Sequence, residues 1–144
     1  MEVRIKRDED GYIKEDNIVI DPEDTWDADV TLAKIAVPLI EQIKRNKQGF
    51  AHTDKEDVPE RFHDTYDNPD NCGASPTAWA WVLDEMLWAL NEVRENGPNH
   101  PYNIAYDKGV RKFTDADRES WNVYEKRVSN GCMLFGKYLR ALWD

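Results

Sequence analysis

The sequence predicts a mainly α-helical fold: a bundle of three long amphipathic helices, with a small N-terminal β-hairpin and a long polar insertion between helices one and two. Three observations predict it. Apolar residues recur at spacings of three and four in three long segments, those segments are bounded by helix start and stop residues, and two-residue alternation is confined to the start of the chain. At 144 residues, 40% of them hydrophobic, the chain is sized for one domain with a real core, spanning 1–144.

The elements follow in order. Glu2 to Lys6 alternate apolar and polar, Gly11 and its acidic neighbours supply a turn, and Asn17 to Ile20 form a second apolar run. Residues 1–21 therefore read as a short hairpin. From Asp24 the period changes. Leu32, Ile35, Ala36, Leu39, Ile40 and Ile43 make a helical stripe, with Asp27 and Asp29 as cap candidates before it and Lys44, Arg45, Lys47 and Gly49 after it. Pro38, inside that stripe, is expected to kink or split the helix because it lacks an N–H donor. Residues 50–74 are polar, hold Pro59 and Pro69, and read as an irregular, partly ordered insertion.

The second helix is announced by Ser75 as cap and Pro76 in its first turn, and is closed by Gly97 and Pro98. Trp79, Val82, Leu83, Met86, Leu87, Leu90 and Val93 form its stripe. A third helix is expected to begin after Thr114 and run to the chain's end, with Trp121, Tyr124, Val128, Cys132, Phe135, Leu139 and Leu142 as its buried side.

Charge limits the function classes. Asp plus Glu outnumber Lys plus Arg by 29 to 19, a net charge of −10, which disfavours coating a phosphate backbone. The protein could instead imitate nucleic acid or meet a basic protein surface. Two cysteines, Cys72 and Cys132, make neither a disulfide framework nor a zinc shell. No apolar run approaches the roughly 18 residues of a membrane span, and no glycine-rich phosphate loop or nucleophile elbow appears. A soluble, intracellular protein that is not an enzyme, with no cofactor and no metal, is the expectation.

Several clusters remain as candidates. On a helical wheel Lys126, Asn130, Lys137 and Arg140 fall within an arc of about 80° opposite the apolar stripe, an anion-binding pattern. The plainer explanation is a solvated face favoured by the helix dipole. Gly131 and Gly136 each cost about 1 kcal/mol relative to alanine in a helix, so a close approach by a backbone or ligand is expected to offset them. Trp81 and Trp88 bracket Asp84, Glu85 and Glu92, which suits a cation or a second subunit; the alternative is that they cover core edges. The connector Asn96–Tyr102 presents Asn99, His100 and Tyr102 on a proline-stiffened backbone that could cap a base or ribose, or simply turn the chain. Asp27, Asp29, Asp84, Glu85 and Glu92 offer an incomplete magnesium set, and His63–Asp64 a weak metal-ligand pair with His52 and His100 as companions.

The segments DTWDADVTLAKIAVPLIEQIK, KEDVPE, WVLDEMLWAL, GPNHPY and RVSNGCMLFGKYLRALWD, in that order from Asp24 to Asp144, resemble a family of uncharacterised proteins of tailed bacteriophages. This chain has Asp27 and Ala28 where the family opening carries serine and methionine, and larger relatives carry a further N-terminal region. The resemblance implies a phage product acting in the host bacterial cytoplasm and transfers no catalytic residue. The leading expectation is a non-enzymatic counter-defence protein that sequesters a nucleotide-like signal and acts as a homo-oligomer. Lys126, Arg127, Asn130, Lys137 and Arg140 would meet phosphate, Asn99 and His100 would line the pocket, and Trp26, Tyr102 or Tyr138 would stack on a base, with Trp81 and Trp88 between subunits. The alternatives are an acidic inhibitor or nucleic-acid mimic that binds a host protein, a metal-dependent nucleotide hydrolase, and a virion structural component.

Overall fold

The structure, a computed structural model, describes residues 2–46, 49–68, 75–109 and 114–142, and the side chains of all of these except 15–17. The rest of the expected insertion (69–74), Lys47, Cys72 and the last two residues lie outside the described residues. The fold is mainly helical with a small antiparallel sheet at the N-terminus. Strands β1 (Glu2–Arg7) and β2 (Ile13–Val19) pair as a hairpin with Val3 opposite Ile18 and Arg7 opposite Ile13, and an irregularity after Lys6. Its turn is held by Arg7, which donates to Gly11 O (2.7 Å), and by the Tyr12 N–H on Asp8 (2.8 Å). A short 3-10 turn (Pro22–Thr25) leads into α1 (Ala28–Asn46).

Of the two outcomes expected at Pro38, a kink or a split, the split does not occur: α1 runs through it as one helix. The proline is exposed, so the carbonyl it leaves unpaired lies where water can take the missing bond. Helix α2 (Pro76–Arg94) starts as the sequence predicts: Ser75 Oγ accepts from the Ala78 N–H (3.2 Å), a cap worth about 1 kcal/mol. It ends in left-handed residues Asn96 and Gly97, where the Gly97 N–H reaches Glu92 O (2.7 Å). The proline-stiffened connector is not merely a loop. It contains a short helix, α3 (Pro101–Asp107), with His100 as its cap. Helix α4 (Asp115–Lys137) opens on the Thr114–Asp117 capping box, and it stops before the chain does, giving way to a 3-10 turn over Leu139–Ala141.

Helix α2 packs against both α1 and α4, and the core forms along those two seams. Val37 and Ile40 of α1, Val82, Leu83 and Met86 of α2, and Leu134 of α4 are fully buried, with the Trp79 and Tyr138 rings edge to face at 5.8 Å. The face of α4 that is buried differs from the predicted one. Gly131, Leu134 and Tyr138 line the contact with α2, while Cys132 and Leu139 of the expected stripe remain exposed. Gly131 explains the rotation. A Cβ there would lie 2.5 Å from Glu85 O and would collide with the Ala89 Cβ, so the two backbones cross at the one position without a side chain. The expected close approach exists at Gly131; at Gly136 the same test meets open space.

The described part of the insertion, 49–68, is ordered. Two 3-10 turns (Lys55–Asp57 and Glu60–Thr65) are strapped to the helices by buried Val58 and by Phe62 against the Trp81 ring (6.4 Å), and the segment is tied to itself by a hydroxyl pair between buried Thr53 and Tyr66. Apolar anchors at intervals of a few residues supply the burial that its polar composition hides.

Candidate functional site

The predicted ligand-binding residues do not gather in one place. At the C-terminal end of α4, Lys137 Nζ bridges Asp54 and Asp57 of the strap, each at 2.6 Å. Tyr138, expected to stack on a base, is buried; its hydroxyl donates to Asp57 Oδ2 (2.5 Å) and accepts from the Asp54 N–H (2.8 Å). Arg140 is exposed beside them, at a shallow depression shared with Phe50 and His52. Nearly three turns further up the helix, Arg127 forks onto Glu85 (Nε–Oε2 3.0 Å, NH2–Oε1 2.8 Å) and lies 3.9 Å over the Trp88 ring. Lys126 is exposed and Asn130 half-buried. The cationic stripe expected to meet phosphate thus has its Arg127 and Lys137 held by carboxylates of the same chain.

The tryptophans expected between subunits are also engaged internally. Trp81 packs on Phe62, and Trp88 on Tyr124 (5.8 Å) and Arg127. The carboxylates weighed as a magnesium set have partners too: Asp84 pairs with Lys44 and Glu85 with Arg127. His63 Nε2 lies 3.0 Å from Val58 O, which fixes that nitrogen as a donor and not a metal ligand. Among the described residues no group of three His, Cys, Asp or Glu side chains is placed to hold a metal ion.

A different cleft of about 390 Å³ opens where the start of α1, the end of α2, the start of α3 and the first half of α4 converge. Its acidic wall is Asp27, Asp29 and Glu125; its aromatic wall is His100, Tyr102, Trp121 and Tyr124; among the described residues no lysine or arginine lines it. The His100 ring meets Trp121 and Tyr124 edge on, at 4.6 and 4.9 Å. Its Nδ1 accepts from the Tyr102 N–H (3.1 Å), which assigns the proton to Nε2, and Nε2 points to Glu125 Oε1 at 3.7 Å. Beneath the cleft Glu92, 3% exposed, accepts from the Asn99 N–H (3.0 Å), the Asn99 side-chain amide and the Tyr124 hydroxyl (3.0 Å). That one carboxyl group ties α2, the connector and α4 together. Gly97, at φ +67°, is required here: a Cβ would come within 2.9 Å of the Tyr124 hydroxyl and 3.1 Å of His100 Cβ.

Of the predicted residues, His100 and Tyr102 line this cleft, Asn99 supports it through Glu92, and Trp26, 80% exposed, precedes Asp27 in the chain. Lys137 and Arg140 lie 16 and 19 positions beyond Trp121, about 25 Å along α4, too far to share one small ligand. Sequence reasoning missed Trp121, Tyr124 and Glu125 as site residues because it assigned the two aromatic rings to a buried stripe. It considered Asp27 and Asp29 only as caps or metal ligands, and Glu92 as a metal ligand or as part of a patch between Trp81 and Trp88 for a cation, a basic side chain or a second subunit.

Burial, reinforced by the bond to Glu92, raises the Tyr124 pKa; burial and then the bond to Asp57 raise that of Tyr138; and the bonds to Asp54 and Asp57 raise that of Lys137. All three groups stay protonated in the folded protein at pH values where the unfolded chain, with tyrosine near 10 and lysine near 10.4, begins to lose protons. Their contribution to stability is therefore complete below about pH 10 and is lost as pH rises further. The urea midpoint should be flat from about pH 7 to 9.5 and fall above about pH 10, with tyrosinate absorbance growing in step with unfolding. A midpoint still constant at about pH 11 would show that these bonds do not form.

Among the described residues no helix is long and apolar enough to cross a membrane. Comparison with protein-family models, with curated proteins and with solved structures finds no match to this chain.

Proposed function

We propose that the protein is a non-enzymatic binding protein whose acidic, aromatic cleft grips a basic side chain of a partner protein. The observation that carries this reading is the pairing of two facts. The cleft offers Asp27, Asp29 and Glu125 beside the Trp121 and Tyr102 rings, with no cation lining it among the described residues, while Arg127 and Lys137 are already neutralised by Glu85, Asp54 and Asp57. Carboxylates around an aromatic face suit a guanidinium or ammonium group, by ion pairing and cation–π attraction together. A phosphate would be repelled there. The net charge of −10 works in the same direction, steering a basic partner over distances comparable to the Debye length. The helices then act as one bundle that holds the cleft rigid. The resemblance to tailed-phage proteins supports a host protein as the partner and the host cytoplasm as the place of action.

Calorimetric titration compares the two kinds of ligand directly. An arginine-rich peptide should bind with an affinity that falls as salt rises, and a panel of cyclic and ADP-ribose nucleotides should give no heat. Asp29→Asn with Glu125→Gln should weaken the peptide at least about tenfold, equivalent to 1.4 kcal/mol. Removing two charges at the hairpin turn, Glu9→Gln with Asp10→Asn, should change little. Nucleotide binding lost on Arg140→Ala would overturn the proposal in favour of signal sequestration, and equal effects from both charge pairs would reduce it to non-specific attraction.

A further inference from the structure

Two apolar surfaces of this chain face solvent, and each has the shape the other lacks. The first is a groove of about 510 Å³ between α1 and α4, floored by Leu90 and Val93 of α2. Leu32 and Leu39 of α1 stand on one bank, 65% and 60% exposed, and Phe135 of α4 and Leu139 of the 3-10 turn after it on the other. It exists because α1 and α4 pack on α2 and not on each other. The charged residues Lys34, Glu41 and Arg45 occupy the far side of α1, so nearly half of that helix is uncharged, more than α2 covers. The second surface is the hairpin. Its register puts Val3, Ile5, Ile13 and Ile18 on one face, together with Asp16 opposite Ile5 and Arg7 opposite Ile13, and all four apolar residues are exposed. A two-stranded hairpin alone in water is marginal and needs an apolar face to pack against.

We infer that the protein forms a two-fold dimer in which the hairpin of each copy lies in the groove of the other. The dimensions agree. Strands of six and seven residues are about 20 Å long, and the bank from Leu32 to Ile43 is about 17 Å. A hairpin face about 20 Å by 10 Å, covered on both sides and twice over by symmetry, buries about 800 to 1,000 Å², less than the roughly 1,200 Å² of a stable interface and the size of a weak, concentration-dependent one. Charge sets the direction. Arg7 shares the apolar face at the turn end of the hairpin, and Asp29 lies at one end of the groove, so the turn points toward Asp29 of the partner. No described residue of the hairpin lines the groove of its own chain, and the segment that joins it to α1 is tethered. The Asp21 N–H bonds the Asp24 carboxylate (2.9 Å), and the Thr31 hydroxyl of α1 donates to Asp24 O (3.2 Å), which fixes the turn to the start of α1. A second copy presents the same face with that turn intact.

The full chain is measured by light scattering after size exclusion, at about 100 μM, well above a micromolar Kd. The wild type should have twice the mass of one chain. Ile18→Glu on the hairpin and Leu39→Glu on the groove should each give one-chain mass with unchanged helical circular dichroism, since both positions are exposed. Mixing the two variants should restore a two-chain species, because one intact hairpin and one intact groove remain in the pair. A monomeric wild type overturns the inference, including one whose hairpin amides are protected from exchange by folding onto its own groove. A dimer that survives both substitutions overturns it as well.

Discussion

Gly131→Ala should lower the thermal midpoint by about 6–10 °C, a net loss of about 2 kcal/mol, while Gly136→Ala should raise the midpoint, with a gain in stability of up to about 1 kcal/mol. The two glycines lie five residues apart in one helix and differ only in what faces them. At Gly131 the new methyl group meets Glu85 O and the Ala89 Cβ, backbone and a side chain too short to move aside, so α2 and α4 must separate along a seam that buries Leu83, Met86 and Leu134. The gain in helix propensity, about 1 kcal/mol, offsets only part of that. At Gly136 nothing lies within 4 Å, so only the propensity gain remains. Paired thermal melts followed by circular dichroism check both. Equal shifts of the same sign would mean that the helices do not cross at Gly131.

Glu92→Leu should cost about 2–4 kcal/mol, and it should also weaken binding at the cleft. The leucine fills the space but leaves the Asn99 N–H, the Asn99 amide and the Tyr124 hydroxyl without their acceptor, and each such loss in a half-buried setting costs about 1 kcal/mol or more. Glu92→Gln keeps an acceptor oxygen and should cost roughly 1 kcal/mol. Tyr124→Phe removes one of the same bonds, so its effect combined with Glu92→Leu should be less than additive. Urea titrations of the three single variants and the Glu92→Leu, Tyr124→Phe double variant measure this. Additive losses would contradict a shared knot.

These two predictions also mark how far the sequence could be read. Ser75–Pro76, Thr114 and Gly97–Pro98 announced their helix ends because capping is local chemistry, fixed by residues within four positions of one another. The apolar stripes of α1 and α4 were visible as well, but which part of each stripe is sealed was not. Periodicity reports which side of a helix is apolar, and the crossing with α2 was decided by the absence of a side chain at Gly131. The same limit hid the cleft. His100 and Tyr102 stood out in a stiff connector, yet their neighbours Trp121 and Glu125 come from another helix, and Asp27 and Asp29 from a third, a convergence no local pattern encodes. The cations of α4 misled for a related reason. The carboxylates that hold Arg127 and Lys137 are 42 and at least 80 positions away in the chain.

The location of the bound partner group tests the account most directly. In a two-dimensional nitrogen–proton NMR titration with an arginine-rich peptide, the Gly97 amide, the Trp121 indole N–H and the His100 ring should shift together and saturate at one equivalent, while the indoles of Trp79 and Trp88 stay in place. Shifts centred on His52, Lys137 and Arg140, or spread evenly over the acidic surface, would contradict a binding site in the cleft between α1, α2, α3 and α4.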